Sequence, residues 1–125
     1  MIQLRLSPGL PAMHEVSLAM ALMDLVCAQA TAAGASRVTR LVLEIGVLSH
    51  VDAHALRFAF DSAASGSPAD GAVLEIRQIV GTTYCLDCEA SVTIITRDAP
   101  CPRCGGVKLL AQGGDEMRLK EMEVV

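Results

Sequence analysis

Cys85-Leu86-Asp87-Cys88 and Cys101-Pro102-Arg103-Cys104 each place two thiols on one tight turn, and twelve residues separate the pairs. Two such turns facing each other form a cage of four sulfurs, the geometry of a closed structural zinc site. Thiolates are soft ligands that suit zinc, or iron in a rubredoxin-like site. With cysteine at every position, none is left for water or substrate. The set Cys85, Cys88, Cys101 and Cys104 therefore reads as structural zinc rather than as a catalytic centre. Pro102 and Gly105 fit a knuckle whose backbone amides reach the sulfurs. Two disulfides in an exported protein would use the same count of cysteines. Residues 1–12, with Arg5, Pro8 and Pro11, lack the apolar run of a signal peptide. The expectation is thiolates on a metal, in the cytoplasm. Cys27 stands apart in an apolar helical pattern and reads as a buried, inert thiol.

Met13-His14-Glu15 is the second place where chemistry is available. Were Met13 the first residue, its amine, the amide nitrogen of His14 and the imidazole could close fused chelate rings. Nitrogen donors in that planar arrangement favour Ni(II) or Cu(II) over zinc. The amine gives up its proton easily, its ordinary pKa being about 7.7–8.0. With residues 1–12 attached the nitrogen is an amide and the planar site is weaker. By spacing alone the tripeptide reads as the first turn of a helix, with Glu15 favourable toward the dipole. His50 and His54 flank the start of a second helix and read as structural or solvated. No nucleophile elbow, phosphate loop or Ser/His/Asp set is visible, so the reading is not an enzyme.

Composition narrows the partners. Of 125 residues 52% are apolar, while Trp is absent and Tyr and Phe together number three, so the core must be aliphatic. A net charge of −4 argues against nucleic acid as a partner. No run approaches 18 uninterrupted apolar residues, which argues against a membrane span.

Several elements must position these groups. Residues 1–12 read as a short, poorly structured lead. Met13 to Ala33 has good helix formers and no Gly or Pro, and Gly34 stops it. Two apolar stripes run along it, Val16/Met20/Met23/Cys27 and Leu18/Leu22/Leu25, so it should pack against more than one element. Arg37 to Ile45 reads as a strand closed by Gly46. Ser49-His50-Val51-Asp52 has the outline of a capping box before a helix over residues 53–64. Residues 65–71 form a loop and Val73 to Val80 a second strand. The cysteine module spans residues 81–112, with a short strand at Ser91 to Thr96. After Gly113-Gly114, Met117 to Val125 is a last strand whose phase changes at Lys120-Glu121, as a bulge would produce. The fold class is α+β: two helices on a three-stranded sheet, residues 13–80 plus 113–125, with an inserted four-cysteine zinc-ribbon domain at residues 81–112.

Six segments in order resemble one known family: Met13-His14-Glu15-Val16-Ser17-Leu18; Leu43-Glu44-Ile45-Gly46; Ala55-Leu56-Arg57-Phe58-Ala59-Phe60; Cys85-x-x-Cys88; Cys101-Pro102-x-Cys104-Gly105; and Gly113-Gly114-Asp115-Glu116-Met117-Arg118. The chain is similar, over residues 13–125, to the HypA/HybF hydrogenase-maturation nickel metallochaperones. The resemblance implies a nickel site at Met13, His14 and Glu15, with Asp52 as a second carboxylate nearby or simply a helix cap. It implies zinc on the four cysteines. It also implies delivery of Ni(II) to the large subunit of [NiFe]-hydrogenase together with a HypB-type GTPase, and leaves a homodimer open. In the family the motif begins the protein, which favours a start at Met13 over a member with fewer strong ligands. The alternative is a zinc-ribbon protein-interaction adaptor without nickel transfer.

Overall fold

Val38–Gly46 (β2) is the centre of the molecule because its apolar residues can be buried on both sides. The computed structural model describes residues 2–6, 9–10 and 14–125. Around β2 lie β1 (Ile2–Arg5), β3 (Val73–Ile79) and β7 (Met117–Val124), in the order β1-β7-β2-β3. β2 and β3 are parallel, and parallel neighbours need a long crossover. The helix α2 (Ala53–Ala64) supplies it. β7 runs antiparallel to both β1 and β2. The α+β class stands, and the three expected strands are neighbours. The sheet nonetheless has a fourth strand. β1 comes from the segment expected to be a poorly structured lead, with Ile2 opposite Val124 and Arg5 opposite Glu121. It satisfies the outer edge of β7, whose amides and carbonyls would otherwise face solvent. Leu4, Leu6 and Leu10 pack against the core.

The core lies between this sheet and the helices α1 (Glu15–Ala32) and α2. Leu18, Leu22 and Val26 of α1 and Leu56 and Phe60 of α2 are fully buried against Leu41 and Leu43 of β2 and Leu119, Met122 and Val124 of β7. Two irregularities make that possible. In β7 the core residues shift from odd to even numbers, Met117 and Leu119 and then Met122 and Val124. The pairing correspondingly jumps from Leu43–Leu119 to Val42–Glu121. The extra residue, Lys120, is the bulge expected at Lys120-Glu121. In β2, Thr39 is skipped in the same way, so Val38 joins Leu41 in the interior. A strand without bulges would have turned half of each set outward.

α1 ends where Gly34 was expected to stop it. Gly34 has φ +68°, its N–H donates to Thr31, and the Ala35 N–H donates to Ala30, which together make a Schellman end. The helix is long and apolar enough to cross a membrane by length and composition alone, with 18 residues at mean hydropathy 1.3. In this fold its fully buried face makes it a core helix.

β4 (Gly81–Cys85), β5 (Ala90–Ile94) and β6 (Leu109–Gly113) form a separate antiparallel sheet, in the order β5-β4-β6, lying in the chain between β3 and β7. Of these, only a strand near residues 91–96 was expected. The two sheets meet at a backbone crossing. A Cβ on Gly46 would stand 1.9 Å from the Gly114 carbonyl oxygen, and one on Gly114 would stand 2.6 Å from Gly81 Cα. The Leu48 N–H donates to Gly114 O across the same seam, at 2.8 Å. Only glycine permits that approach.

Candidate metal centre

Each cysteine pair sits where a strand turns. Cys85 ends β4 and Cys88 closes the turn into β5; Cys101 and Cys104 lie in the second turn, before β6. The residue after each pair has positive φ, Glu89 at +53° and Gly105 at +73°. This lets backbone amides point at the sulfurs. The Cys88 N–H donates to Cys85 Sγ, the Arg103 N–H to Cys101 Sγ and the Gly106 N–H to Cys104 Sγ, each at 3.4 Å. Such bonds stabilise thiolates over thiols.

The four sulfurs lie within 4.8 Å of one another. Cys85 and Cys104 are 3.7 Å apart, Cys88 and Cys101 3.9 Å. A tetrahedral Zn²⁺ with bonds of about 2.3 Å separates its sulfurs by about 3.8 Å. The cage is therefore the right size for zinc, and its ligand set is the expected one. Its protons are divided unevenly. Cys101 is drawn down to about 6, chiefly by the Cys104 N–H and, against desolvation, also by the Arg103 N–H. Cys88 is pushed up to about 12, first by its hydrogen bond with Cys104 and then by burial. Four sulfurs this close do not all ionise without a cation between them, which is the chemistry a metal would supply. Among the described residues these cysteines are the one cluster of His, Cys, Asp or Glu side chains that could hold a metal ion.

At the other end, Met13 lies outside the described residues. His14 is the N-cap of α1, exposed and in extended conformation, and its side chain makes no capping bond. Glu15 is half-buried, and its Oε1 accepts from the backbone N–H of Asp52 at 2.9 Å. That bond and the amide of Glu15 itself hold the carboxyl below its ordinary range. Asp52 reaches the motif through its main chain. Its carboxylate is occupied as the cap of α2, accepting from His54 N–H at 2.9 Å and Ala55 N–H at 3.2 Å. The cap reading of Asp52 is thus the one seen. The capping box does not form, because Ser49 Oγ donates to Gly46 O instead and closes the turn after β2.

A side-chain contact links the segment before α2 to the cysteine-bearing segment. His50, two residues before that cap, hydrogen-bonds through Nδ1 to the guanidinium of Arg97, which follows β5. A cleft of about 350 Å³ lies beneath them, with Asp52, Gln78 and Asp98 in its wall. No histidine stands near the cysteines in the sequence, and 47 residues separate this pair. No spacing rule could have found it.

Residues 13–124 match a family model described as hydrogenase/urease nickel incorporation, metallochaperone, hypA. The chain is 49% identical over 113 residues to the hydrogenase maturation factor HypA of Paracoccus denitrificans, covering 90% of this chain and all of that one. Against the HypA of Rhodopseudomonas palustris strain TIE-1 the identity is 45% over 112 residues, covering 90% and 99%. The fold is similar to the solution structure of the Ni metallochaperone HypA from Helicobacter pylori, with a TM-score of 0.64 at 28% identity, over 90% of this chain and 98% of that one.

Proposed function

This chain belongs to the HypA family of nickel-incorporation metallochaperones, and from that premise we propose that it carries Ni(II) at Met13-His14-Glu15 to the large subunit of [NiFe]-hydrogenase. The cysteine cage holds zinc and keeps it. In this reading the protein works in the cytoplasm with a HypB-type GTPase and is a carrier, not a catalyst. This reading keeps the division expected from the sequence, with residues 13–80 and 113–125 as the nickel-binding part and residues 81–112 as the zinc-binding part.

The observation that carries this reading is the contrast in exposure. His14 is exposed at the start of α1, and among the described residues its side chain makes no capping bond, beside a Glu15 carboxylate that stays ionised. A cation held by few side chains at such a place can leave by stepwise ligand exchange. Cys85 and Cys101 are buried, and although Cys88 is half-buried and Cys104 exposed, a four-thiolate site has no open position through which exchange could begin.

The test is a nickel titration alongside zinc analysis. His14→Ala should abolish nickel binding and leave one zinc per chain. A variant that still takes one nickel with unchanged affinity would rule the assignment out. The role of Met13 is tested by preparing the chain with and without residues 1–12. The version with a free Met13 amine should bind nickel more tightly and with the absorption of a planar nitrogen site.

A further inference from the structure

α1 is apolar on more faces than the described residues of its own fold cover. Its only charged residues are Glu15 and Asp24. Leu18, Leu22 and Val26 face the sheet, but Val16 is 65% and Met20 60% exposed. Phe58 of α2, 76% exposed, stands across from them. Between the helices runs an open groove of about 770 Å³, lined on the α2 side by Ala55, Ala59 and Ala63 as well as Phe58. A helix apolar all round is ordinarily covered all round, and a continuous apolar patch on a soluble domain marks a docking surface.

Charge and shape say what fits. The groove's two ionisable lining residues, Glu15 and Asp24, are both acidic. They are nine residues apart, about 14 Å along the helix, close to two and a half turns of a partner helix. Alanines in the lining let a helix backbone approach closely. A second copy of this chain would set the same acidic rim against itself. The groove also opens at Glu15, so whatever occupies it lies beside the nickel motif.

We propose that this groove receives an amphipathic helix of the nickel-accepting protein, with apolar residues at i, i+3 or i+4 and i+7 flanked by Lys or Arg. The proposal rests on the nickel-carrier reading. Docking there brings acceptor ligands to the exposed His14 while Glu15 still holds the ion.

The experiment uses the nickel-loaded full chain and the purified precursor of the hydrogenase large subunit. The double variant Met20→Ser, Phe58→Ser should keep its helicity and its nickel titration and lose at least about tenfold in affinity for the precursor. Asp24→Lys should weaken binding at low salt and little at high salt. A synthetic Leu/Lys amphipathic helix should compete with the precursor, and a Leu/Glu helix of the same length should not. Unchanged precursor affinity in the double variant overturns the proposal, as does absence of precursor binding by the unmodified chain. Equal competition by the two peptides does the same. So would a dimer in ultracentrifugation that the double variant splits, because the occupant would then be a second copy. Failure of the nickel-carrier reading is separate, being seen when His14→Ala leaves nickel binding intact.

Discussion

In the four-stranded sheet, Leu41, Leu43, Leu119 and Met122 are fully buried under two helices, in a continuous cluster of twenty buried residues. In the three-stranded sheet the buried apolar cluster is Cys85, Val92 and Cys101, and two of those three are candidate metal ligands. The first region can fold on hydrophobic burial, each large side chain contributing about 1.5–3 kcal/mol. The second has no comparable core and must take its stability from the metal. The contrast suits the proposed work. A sheet cemented by aliphatic side chains can hold an exposed, exchangeable site at its helix ends. A closed cage can only hold its ion.

The sharpest way to break that contrast is to take the metal away. Chelation, or Cys85→Ser, should unfold the three-stranded sheet, since small structural zinc sites derive about 10–16 kcal/mol from the ion. Hydrogen exchange should then show amide protection lost from β4, β5 and β6 and kept in β2 and β7. Loss of protection in both sheets at once would mean that the glycine seam makes them one cooperative unit. The converse is Phe60→Ala, which should cost about 3–5 kcal/mol in the transition of the four-stranded sheet. Zinc content per folded chain should not change.

How much of this could be read in advance follows the same division. β2, α2, β3 and β7 announce themselves because apolar residues recur at the period of the element that buries them. The β7 bulge is visible as a change of phase at Lys120. β1, β4 and β6 do not. Ile2–Arg5 lies near prolines and becomes a strand only because β7 offers a free edge. Gly81–Cys85 follows β3 with Val80 alone between them, and its short run from a glycine to a metal-type cysteine shows no pattern of its own. Leu109–Gly113 is mostly exposed and carries no alternation. In α1 the two apolar stripes are nearly equal, so periodicity could not say that Leu18 and Leu22 face in while Val16 and Met20 face out. The cysteine cage was legible because its chemistry is set by short local spacing. The Glu15–Asp52 and His50–Arg97 contacts were not, because the chain returns to them 37 and 47 residues later.

A smaller effect sharpens the comparison at the proposed nickel end. Asp52→Ala removes the cap of α2 and should cost about 1 kcal/mol in thermal unfolding, with zinc retained. The companion Glu15 bond gives a pH signature. Its carboxyl is held below the ordinary range by the Asp52 N–H first and its own amide second. A lowered folded pKa means that stability is fully present above the unfolded value of about 4.3 and is lost as pH falls through the lower folded value. Glu15→Gln should flatten the stability curve in that acidic window only. Above that window the two curves should run parallel, separated by a constant offset, and a difference in their slopes near neutral pH would assign the effect to something other than this bond.

The smallest effect separates the two knuckles from each other. Each needs a left-handed residue after its second cysteine, and Gly105 supplies one at φ +73° without strain. Glu89 does the same task at φ +53° with a side chain attached, and a left-handed conformation costs a non-glycine residue about 1–2 kcal/mol. Glycine loses part of that advantage because it gives up more freedom on folding. Glu89→Gly should therefore stabilise the zinc-loaded three-stranded sheet by roughly 0.5–1 kcal/mol. That would be read as a higher chelator concentration at half-release, with the transition of the four-stranded sheet unmoved. Gly105→Ala should shift release the opposite way. If Glu89→Gly released zinc more readily, the glutamate would be contributing an interaction that outweighs its backbone strain. The two knuckles would then differ in kind rather than in strain alone.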